Sequence, residues 1–458
     1  MASFDTKKGV DLDIPIDAIP PFDISKIFGD EYRDYPRLYG LGQNRDYITL
    51  IDAFGSAGAS IPGFPHESWH AQEAIVSRER FFEEDPPVSN ATIVVDGLFE
   101  WCQQNPVQEL SRYEADRWAG TEISFSTEAL NDITLYRDQN TTICLSPVVT
   151  VSGGEPPLKT HSLTSDYHLS FRFDGGLPTL SKIVDECIVP FRDFLSLLMG
   201  FRAEILSISV MVPGLEKPVK VYVPFLEAHR DTLPKRAFQQ MPFAYPKVMA
   251  HLQSMTEKWF ELPDDARRAS GILLGFLAYD RNVYLDSKFI AAASAFEAIS
   301  RVCRKTNEVS QEEFERRLSV VRESIAEKKS REWAMRHLSH ANSVAAGVLA
   351  EQMLNELDPY SSFIVPDLKR FKQDHRDARN AYVHQNDNVS NGVALEGRDL
   401  YYHTEAVLFV VWGRLLNLLG ISPRELIDAL EESFFKRGVL YRVQDMYKAR
   451  QEGDDPVR

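Results

Sequence analysis

Cysteine is scarce in this chain. Its 458 residues hold only Cys102, Cys144, Cys187 and Cys303. They are far apart and form no CxxC pair, which excludes a disulfide framework and fits reduced thiols in a cytosolic protein. A run of about 18 uncharged apolar residues, the minimum for a membrane-spanning helix, is missing. Met1 to Lys8 carries no apolar h-region, so a secretory signal is not expected and a cytoplasmic protein is. There is no GxxxxGK[ST] loop, no GxSxG elbow and no GxGxxG turn, which removes the P-loop, α/β-hydrolase and dinucleotide-binding readings. Cationic excess is lacking too. Lys+Arg number 51 against 67 Asp+Glu, a net charge of −16, the wrong sign for a protein that simply coats nucleic acid.

The charge that is present is unevenly spread. Residues 265–445 hold 25 Lys+Arg and 26 Asp+Glu, so the rest of the chain carries −15. An acidic front is joined to a nearly neutral back, which points to modules with different surfaces. Residues 1–45 are rich in Pro, Asp and Tyr without a sustained period, and read as an irregular arm. Residues 46–244 read as a β-rich domain. Runs such as Ala91-Thr-Ile-Val-Val, Thr142-Ile-Cys-Leu and Val219-Lys-Val-Tyr-Val alternate or are β-branched, and Gly/Pro turns separate them. A sandwich or a strongly bent sheet buries such strands. Within this region Ile183, Val184, Ile188, Phe191, Leu195 and Leu198 recur at helical spacing, which predicts a packed helix over 180–200 that Pro190 kinks or splits. Two histidines four apart, His66 and His70, would suit a metal on a helix. Gly63 and Pro65 point instead to a loop with surface histidines.

Helical periodicity takes over for residues 245–445. Candidate helices are 245–260, 264–280, 284–304, 310–328, 332–357, 366–383, 401–419 and 423–435. Ser310 is a candidate N-cap, Pro366 a first-turn proline and Gly420 a stop. Short connections predict an antiparallel bundle. Residues 446–458 read as a polar tail. The fold class is therefore α+β, a β-rich N-terminal domain followed by an all-α bundle.

The segment His375-Arg-Asp-Ala-Arg-Asn-Ala-Tyr-Val-His384 concentrates the chemistry. Leu368, Phe371, His375, Ala378 and Tyr382 form the buried stripe of its helix. Lys372, Arg376 and Arg379 make a basic edge. Gln373, Asp377, Asn380 and His384 make a polar one. Asn380 and His384, at i and i+4, share a face. The loop formers Gln385 to Gly392 follow, so His384 ends the helix, where the dipole favours imidazolium. Arginine, asparagine and histidine suit phosphodiester cleavage without a metal or other cofactor. Histidine moves a proton, arginine holds the phosphate, and asparagine orients either group. His403 opens the next helix and could face the same loop. The same residues also suit an ordinary polar helix end, and the alternative is a non-catalytic dimerisation or nucleotide-binding interaction protein.

Arg379-Asn380-x-x-x-His384 near the end of a late bundle helix resembles the active motif of HEPN-domain ribonucleases. Phe289-Ile-Ala-Ala-Ala-Ser-Ala-Phe-Glu297-Ala-Ile looks like the early HEPN helix, and Tyr402–Gly420 like its closing apolar helix. The combination is similar to the ApeA-like HEPN domain, and the β-rich front resembles the N-terminal domain of that anti-phage defence family. The resemblance implies a metal-independent endoribonuclease that halts growth after infection and leaves a 2′,3′-cyclic phosphate. Arg379 and His384 match its catalytic pair and Asn380 its polar neighbour. Asp377, Glu297 and Tyr382 are supporting residues, with Glu297 a structural carboxylate in need of an arginine partner. Lys372, Arg376 and His403 are candidate RNA contacts. The implied partners are RNA, with tRNA among the candidates, a second copy through the helical bundle, and a phage-derived trigger; no membrane is implied. The charge asymmetry adds that the front senses that trigger or holds the ribonuclease inactive. Deletion of residues 1–240 is then expected to raise RNA cleavage or toxicity. A folded but inert truncation would count against this.

Overall fold

Ala91, Ile93 and Val95 alternate with Asn90, Thr92 and Val94, and in the computed structural model all three are buried. That period of two places one face of the strand on a core. The structure describes residues 3–5, 10–15, 33–42, 45–60, 64–104, 107–114, 117–125, 131–152, 162–223, 238–279, 283–302, 304, 307–339, 341–382 and 395–451. They divide into two units, Met1–Glu257 and Lys258–Arg458. The first is β-rich and the second helical, an α+β chain. Among the described residues, no helix is long and apolar enough to cross a membrane.

Among the described residues, fourteen strands run in chain order: β1 (Ser3–Asp5), β2 (Val10–Pro15), β3 (Arg33–Leu41), β4 (Tyr47–Ser60), β5 (Phe64–Ala71), β6 (Glu73–Ser77), β7 (Asn90–Val95), β8 (Val107–Glu114), β9 (Arg117–Phe125), β10 (Ile133–Arg137), β11 (Thr141–Ser152), β12 (Ser162–Phe173), β13 (Ile205–Met211) and β14 (Val219–Tyr222). Twelve form one antiparallel sheet in the order β1-β2-β5-β4-β6-β14-β13-β7-β12-β11-β10, with β3 also on β4; β8 and β9 pair separately. Of the two expected ways to bury these strands, the described residues take the single continuous sheet. Strand β4 serves two neighbours on one edge, β6 along Tyr47–Ile51 and β5 along Phe54–Ser60. Asp52, at φ 49°, marks the changeover, a left-handed position that Asp tolerates better than most residues.

The region expected to be an irregular arm, residues 1–45, contains β1, β2 and β3. The alternation Val10-Asp-Leu-Asp-Ile14 was the available signal for β2. The stretch His66–His70 is also a strand rather than a loop. Its letters fit the H-E-x-x-H zinc pattern, which needs a helix to bring both histidines to one ion. At about 3.3 Å per residue, a strand holds them roughly 13 Å apart.

The predicted helix over 180–200 forms as α2 (Leu180–Ile183), a π-helical turn (Val184–Ile188) and α3 (Val189–Met199). Pro190 lacks the N–H that the helix ladder would use, and the wider turn just before it absorbs the defect without ending the helix. Phe191 packs edge-on against Phe171 of β12, with centroids 5.9 Å apart. The unit boundary at 257/258 lies beyond the expected 244/245 because the first helical residues belong with the sheet. Gln253 exchanges two hydrogen bonds with the Arg137 backbone, 2.8 and 2.9 Å. Trp101 of α1 (Leu98–Cys102) donates to the Phe243 carbonyl at 2.8 Å.

After α4 (Tyr245–Val248) of the first unit and α5 (Leu252–Phe260), which crosses the boundary, the helical unit runs through α6 (Asp264–Tyr279), α7 (Leu285–Arg301), α8 (Gln311–Ser324), α9 (Lys328–Leu338), α10 (Ala346–Glu356), α11 (Tyr360–Ile364), α12 (Leu368–Tyr382), α13 (Gly397–Leu419), α14 (Pro423–Glu432) and α15 (Arg437–Gln451). The predicted helix 332–357 is broken between α9 and α10. Buried Asn342 ties down the break, donating to and accepting from the Val309 backbone. The predicted tail from 446 is also corrected. Val443, Met446 and Tyr447 continue an i, i+3, i+4 apolar stripe and are buried in α15, which packs against α13.

Helix α13 is buried on most faces because it is the axis of this unit. Gly413 lets Tyr360 of α11 approach it, and the Tyr360 hydroxyl donates to the Phe409 carbonyl at 2.7 Å. A Cβ at position 413 would overlap the Tyr360 ring. Gly413→Ala is therefore expected to destabilise the protein by about 1–3 kcal/mol, the usual cost of overpacking. Denaturant unfolding measures it, and an unchanged midpoint would refute the close packing.

Candidate functional site

Helix α12 carries the candidate segment because its stripe meets the bundle. Phe371, Asp374 and Ala378 are buried. Leu368, His375 and Tyr382 are half-buried. Asp374 was not among the residues expected inside. It is held by Arg370 at 3.0 Å across one turn, which offsets the cost of burying a carboxylate.

Arg379 lies one turn beyond His375 on the same face. Its Nη2 donates to Oε2 of Glu297 on α7 at 2.8 Å. Glu297 Oε1 in turn accepts from Arg301 at 2.5 Å. One carboxylate thus bridges two arginines and clamps α12 to α7. The Arg379 side chain remains 32% exposed, so its guanidinium is oriented without being sealed off.

Beside this clamp, α7, α10 and α12 enclose a cleft of about 430 Å³. Its floor is apolar, with Phe296, Phe371, Ala346 and Ala350. Its polar lining has four cations, Lys369, Lys372, Arg376 and Arg379, against the single carboxylate of Glu297. A positive cleft in a chain of net charge −16 is suited to an anion, because local field rather than total charge governs what binds there. Lys372 also reaches Glu351 of α10 at 2.5 Å, and Arg376 pairs with Asp377 at 3.2 Å.

The structure separates the other sequence candidates. His384 lies outside the described residues, which resume at 395. Asn380 is exposed, and neither it nor Asp377 is among the residues lining the cleft. Tyr382 donates to the Leu395 carbonyl at 2.9 Å and packs on Phe289, so it ties the last turn of α12 to Leu395 and to α7. His403 requires a correction. It is fully buried on α13, with Nδ1 2.6 Å from the Tyr447 hydroxyl and Nε2 3.3 Å from Nδ1 of His375. The packing of α15 over α13 removes it from any direct RNA contact. Sequence reasoning missed Lys369 and Ser300 in the cleft lining. Lys369 was within reach, since it stands three residues before Lys372 and so on the same face.

His375 is the cleft residue with the largest electrostatic shift. Phe296, at 4.8 Å between centroids, and Phe289 and Phe371 surround its ring. Burial, and secondarily the Arg379 charge, push its pKa down from 6.5 to about 4. The imidazole is therefore neutral at ordinary pH.

An antiparallel β-rich unit followed by a helical unit with a basic cleft on its Arg-Asn helix defines a two-module protein of the HEPN class. Residues 3–259 match the family model described as ApeA N-terminal domain 1, and residues 290–425 match Apea-like HEPN. The chain belongs to the ApeA-like HEPN family. HEPN domains are generally ribonucleases, and the matches support an anti-phage HEPN-family protein. No curated protein and no solved structure matches the chain.

The His375 shift generates a stability prediction. The unfolded chain has the ordinary histidine pKa and the folded one a pKa of about 4. Between these values the unfolded state binds the extra proton, so stability is lost as pH falls from about 6.5 towards about 4. Denaturant titrations across that window are expected to show a shallower loss in His375→Phe than in the wild type. Equal slopes would refute the shift.

Proposed function

We propose that the helical unit is a metal-independent endoribonuclease acting in anti-phage defence. The observation that carries this reading is Arg379, held by Glu297 at the edge of a cleft lined by four cations, on the helix whose sequence runs on to His384. Arg379 binds a non-bridging oxygen of the scissile phosphate and offsets the charge that grows there. His384 takes the proton of the ribose 2′-OH. The 2′-oxygen bonds to phosphorus, the bond to the 5′-oxygen breaks, and the proton passes to that leaving oxygen. The products are a 2′,3′-cyclic phosphate and a 5′-hydroxyl. Asn380 orients the histidine or the phosphate. Lys372 and Arg376 follow the RNA backbone, with tRNA among the candidate substrates.

The enzyme acts as a homodimer through the helical bundle, and two copies of the motif double the positive charge offered to one strand. The acidic β-rich unit senses a phage-derived trigger and holds cleavage to a basal rate until it arrives. One observation favours the second reading, an interaction module without catalysis. Arg379 already has an internal partner in Glu297, as a purely structural arginine would.

Incubation with total RNA and with tRNA in EDTA separates the two readings. The wild type is expected to cleave and leave 2′,3′-cyclic ends, and Arg379→Ala and His384→Ala to lose about 100-fold or more of the rate, the scale of one proton-transfer or oxyanion group. Equal cleavage by all three proteins would refute the assignment of these residues. A large fall in unfolding stability in either variant would favour the structural reading.

A further inference from the structure

One group in the cleft has no part in the chemistry above. His375 lines the same cleft as Arg379, and its Nδ1 faces inward to Nε2 of His403 at 3.3 Å. His403 Nδ1 is 2.6 Å from the Tyr447 hydroxyl. His403 and Tyr447 are both fully buried. Three side chains from α12, α13 and α15 thus form a single file of hydrogen bonds running from the interior to the cleft.

Either end of the contact between the Tyr447 hydroxyl and Nδ1 of His403, 2.6 Å long, can donate, and the two directions put the proton of His375 on different nitrogens. When Tyr447 donates, Nδ1 of His403 accepts. A neutral imidazole carries one N–H, so the proton of His403 is then on Nε2 and is donated to Nδ1 of His375. The proton of His375 is then left on Nε2, and among the described residues that nitrogen has no hydrogen-bond partner. Arg379 on its own helix and Glu297 on α7 line the cleft with His375. Lys369, Lys372 and Arg376 complete the cleft's charge, and α10 contributes only Ala346, Gly347 and Ala350.

We propose that His375 is an uncharged hydrogen-bond donor to the RNA backbone, its Nε2–H binding a non-bridging oxygen of the phosphodiester held by Arg379, with His403 and Tyr447 as the positioning residues that fix its tautomer. The proposal rests on the ribonuclease reading and names a further contact of the same site. A neutral donor adds stabilisation for an oxyanion without adding another charge to a cleft that already holds four cations. It also keeps its protonation state across the range of about pH 5 to 8, where an ordinary histidine changes charge. The depressed His375 pKa agrees with this.

The test uses the full chain with 15N-labelled histidine and, as probe, a short RNA in which 2′-O-methyl groups block cleavage. Long-range 15N–1H spectra report the tautomer of each ring, and His375→Phe assigns the His375 signals. The wild type is expected to show His375 protonated on Nε2 alone, with that signal moving when the probe binds. Tyr447→Phe is expected to mix the tautomers of His403 and His375. Probe affinity is expected to fall about ten-fold in His375→Phe, the scale of one hydrogen bond to an ionised group, and about three-fold in Tyr447→Phe. A wild-type His375 protonated on Nδ1, or a signal that stays still while the probe binds in an Arg379-dependent manner, overturns the proposal alone. Failure of the wild type both to bind the probe and to cleave RNA overturns the ribonuclease reading, and this proposal with it. If His375→Phe does not fold, the wild-type tautomer and the Tyr447→Phe affinity decide.

Discussion

Glu405 is 1% exposed on the axis of the helical unit, and two ammonium groups meet its carboxyl there. Lys288 of α7 lies 2.5 Å from Oε1 and Lys436 lies 2.9 Å from Oε2. A lone buried carboxylate would cost several kcal/mol, and removing either partner of such a set typically costs about 3–5 kcal/mol. The requirement is geometric as well as energetic. Lys288, itself nearly buried beside the rings of Phe276 and Tyr401, ties α7 to α13. Lys436 adopts φ 42° just before α15, a left-handed conformation that a lysine holds only when its surroundings demand it. Its salt bridge to Glu405 supplies that demand and sets where α15 begins.

The position of α12 follows from that framework. With α7, α13 and α15 fixed by one carboxylate, α12 finds Phe289 and Phe296 on one neighbour, His403 on the second and Tyr447 on the third. His375 touches the first two groups directly, and Phe371 stacks near His403 and Tyr447. The Arg379–Glu297 bridge then lies one turn further along, at the point where this packed face gives way to the cleft. The polar file through His375 and the guanidinium clamp are therefore two outlets of one buried arrangement.

Much of this was legible in residue order, and what was not has identifiable causes. The 3.6-residue stripes of α7, α12 and α13 located those helices within a few residues, because a stripe is a local property. The Arg379 segment stood out for the same reason, as a basic edge on a helix that runs into loop formers. His403 was misplaced because nearness to a helix start suggests exposure, whereas its burial comes from α15, more than thirty residues later in the chain. Tyr447 looked like part of a polar tail until its stripe with Val443 and Met446 found a partner. In the first unit, Arg33–Leu41 pairs with β4 although Pro36 and Gly40 read as turn residues. Strand pairing answers to a distant partner, so local composition is a weak guide to it. The cleft itself joins helices about seventy residues apart, which no spacing rule reports.

The resting partner of Arg379 bears on how an anion enters the cleft. A phosphodiester and Glu297 each carry one negative charge, so exchanging one for the other at Arg379 gains little by Coulomb attraction alone. Glu297 is also tethered to the same bundle and competes at high effective concentration. The surplus must come from cations that Glu297 does not neutralise. Lys369 is exposed, and among the described residues it has no ion-pair partner. Arg376 is 68% exposed, and its ion-pair partner among the described residues is its neighbour Asp377. These two supply the net field, and Arg379 supplies a fixed geometry within it. A cleft built in this way draws in a chain of phosphates more readily than a single one, since successive charges engage Lys369 and Arg376 while one of them displaces Glu297.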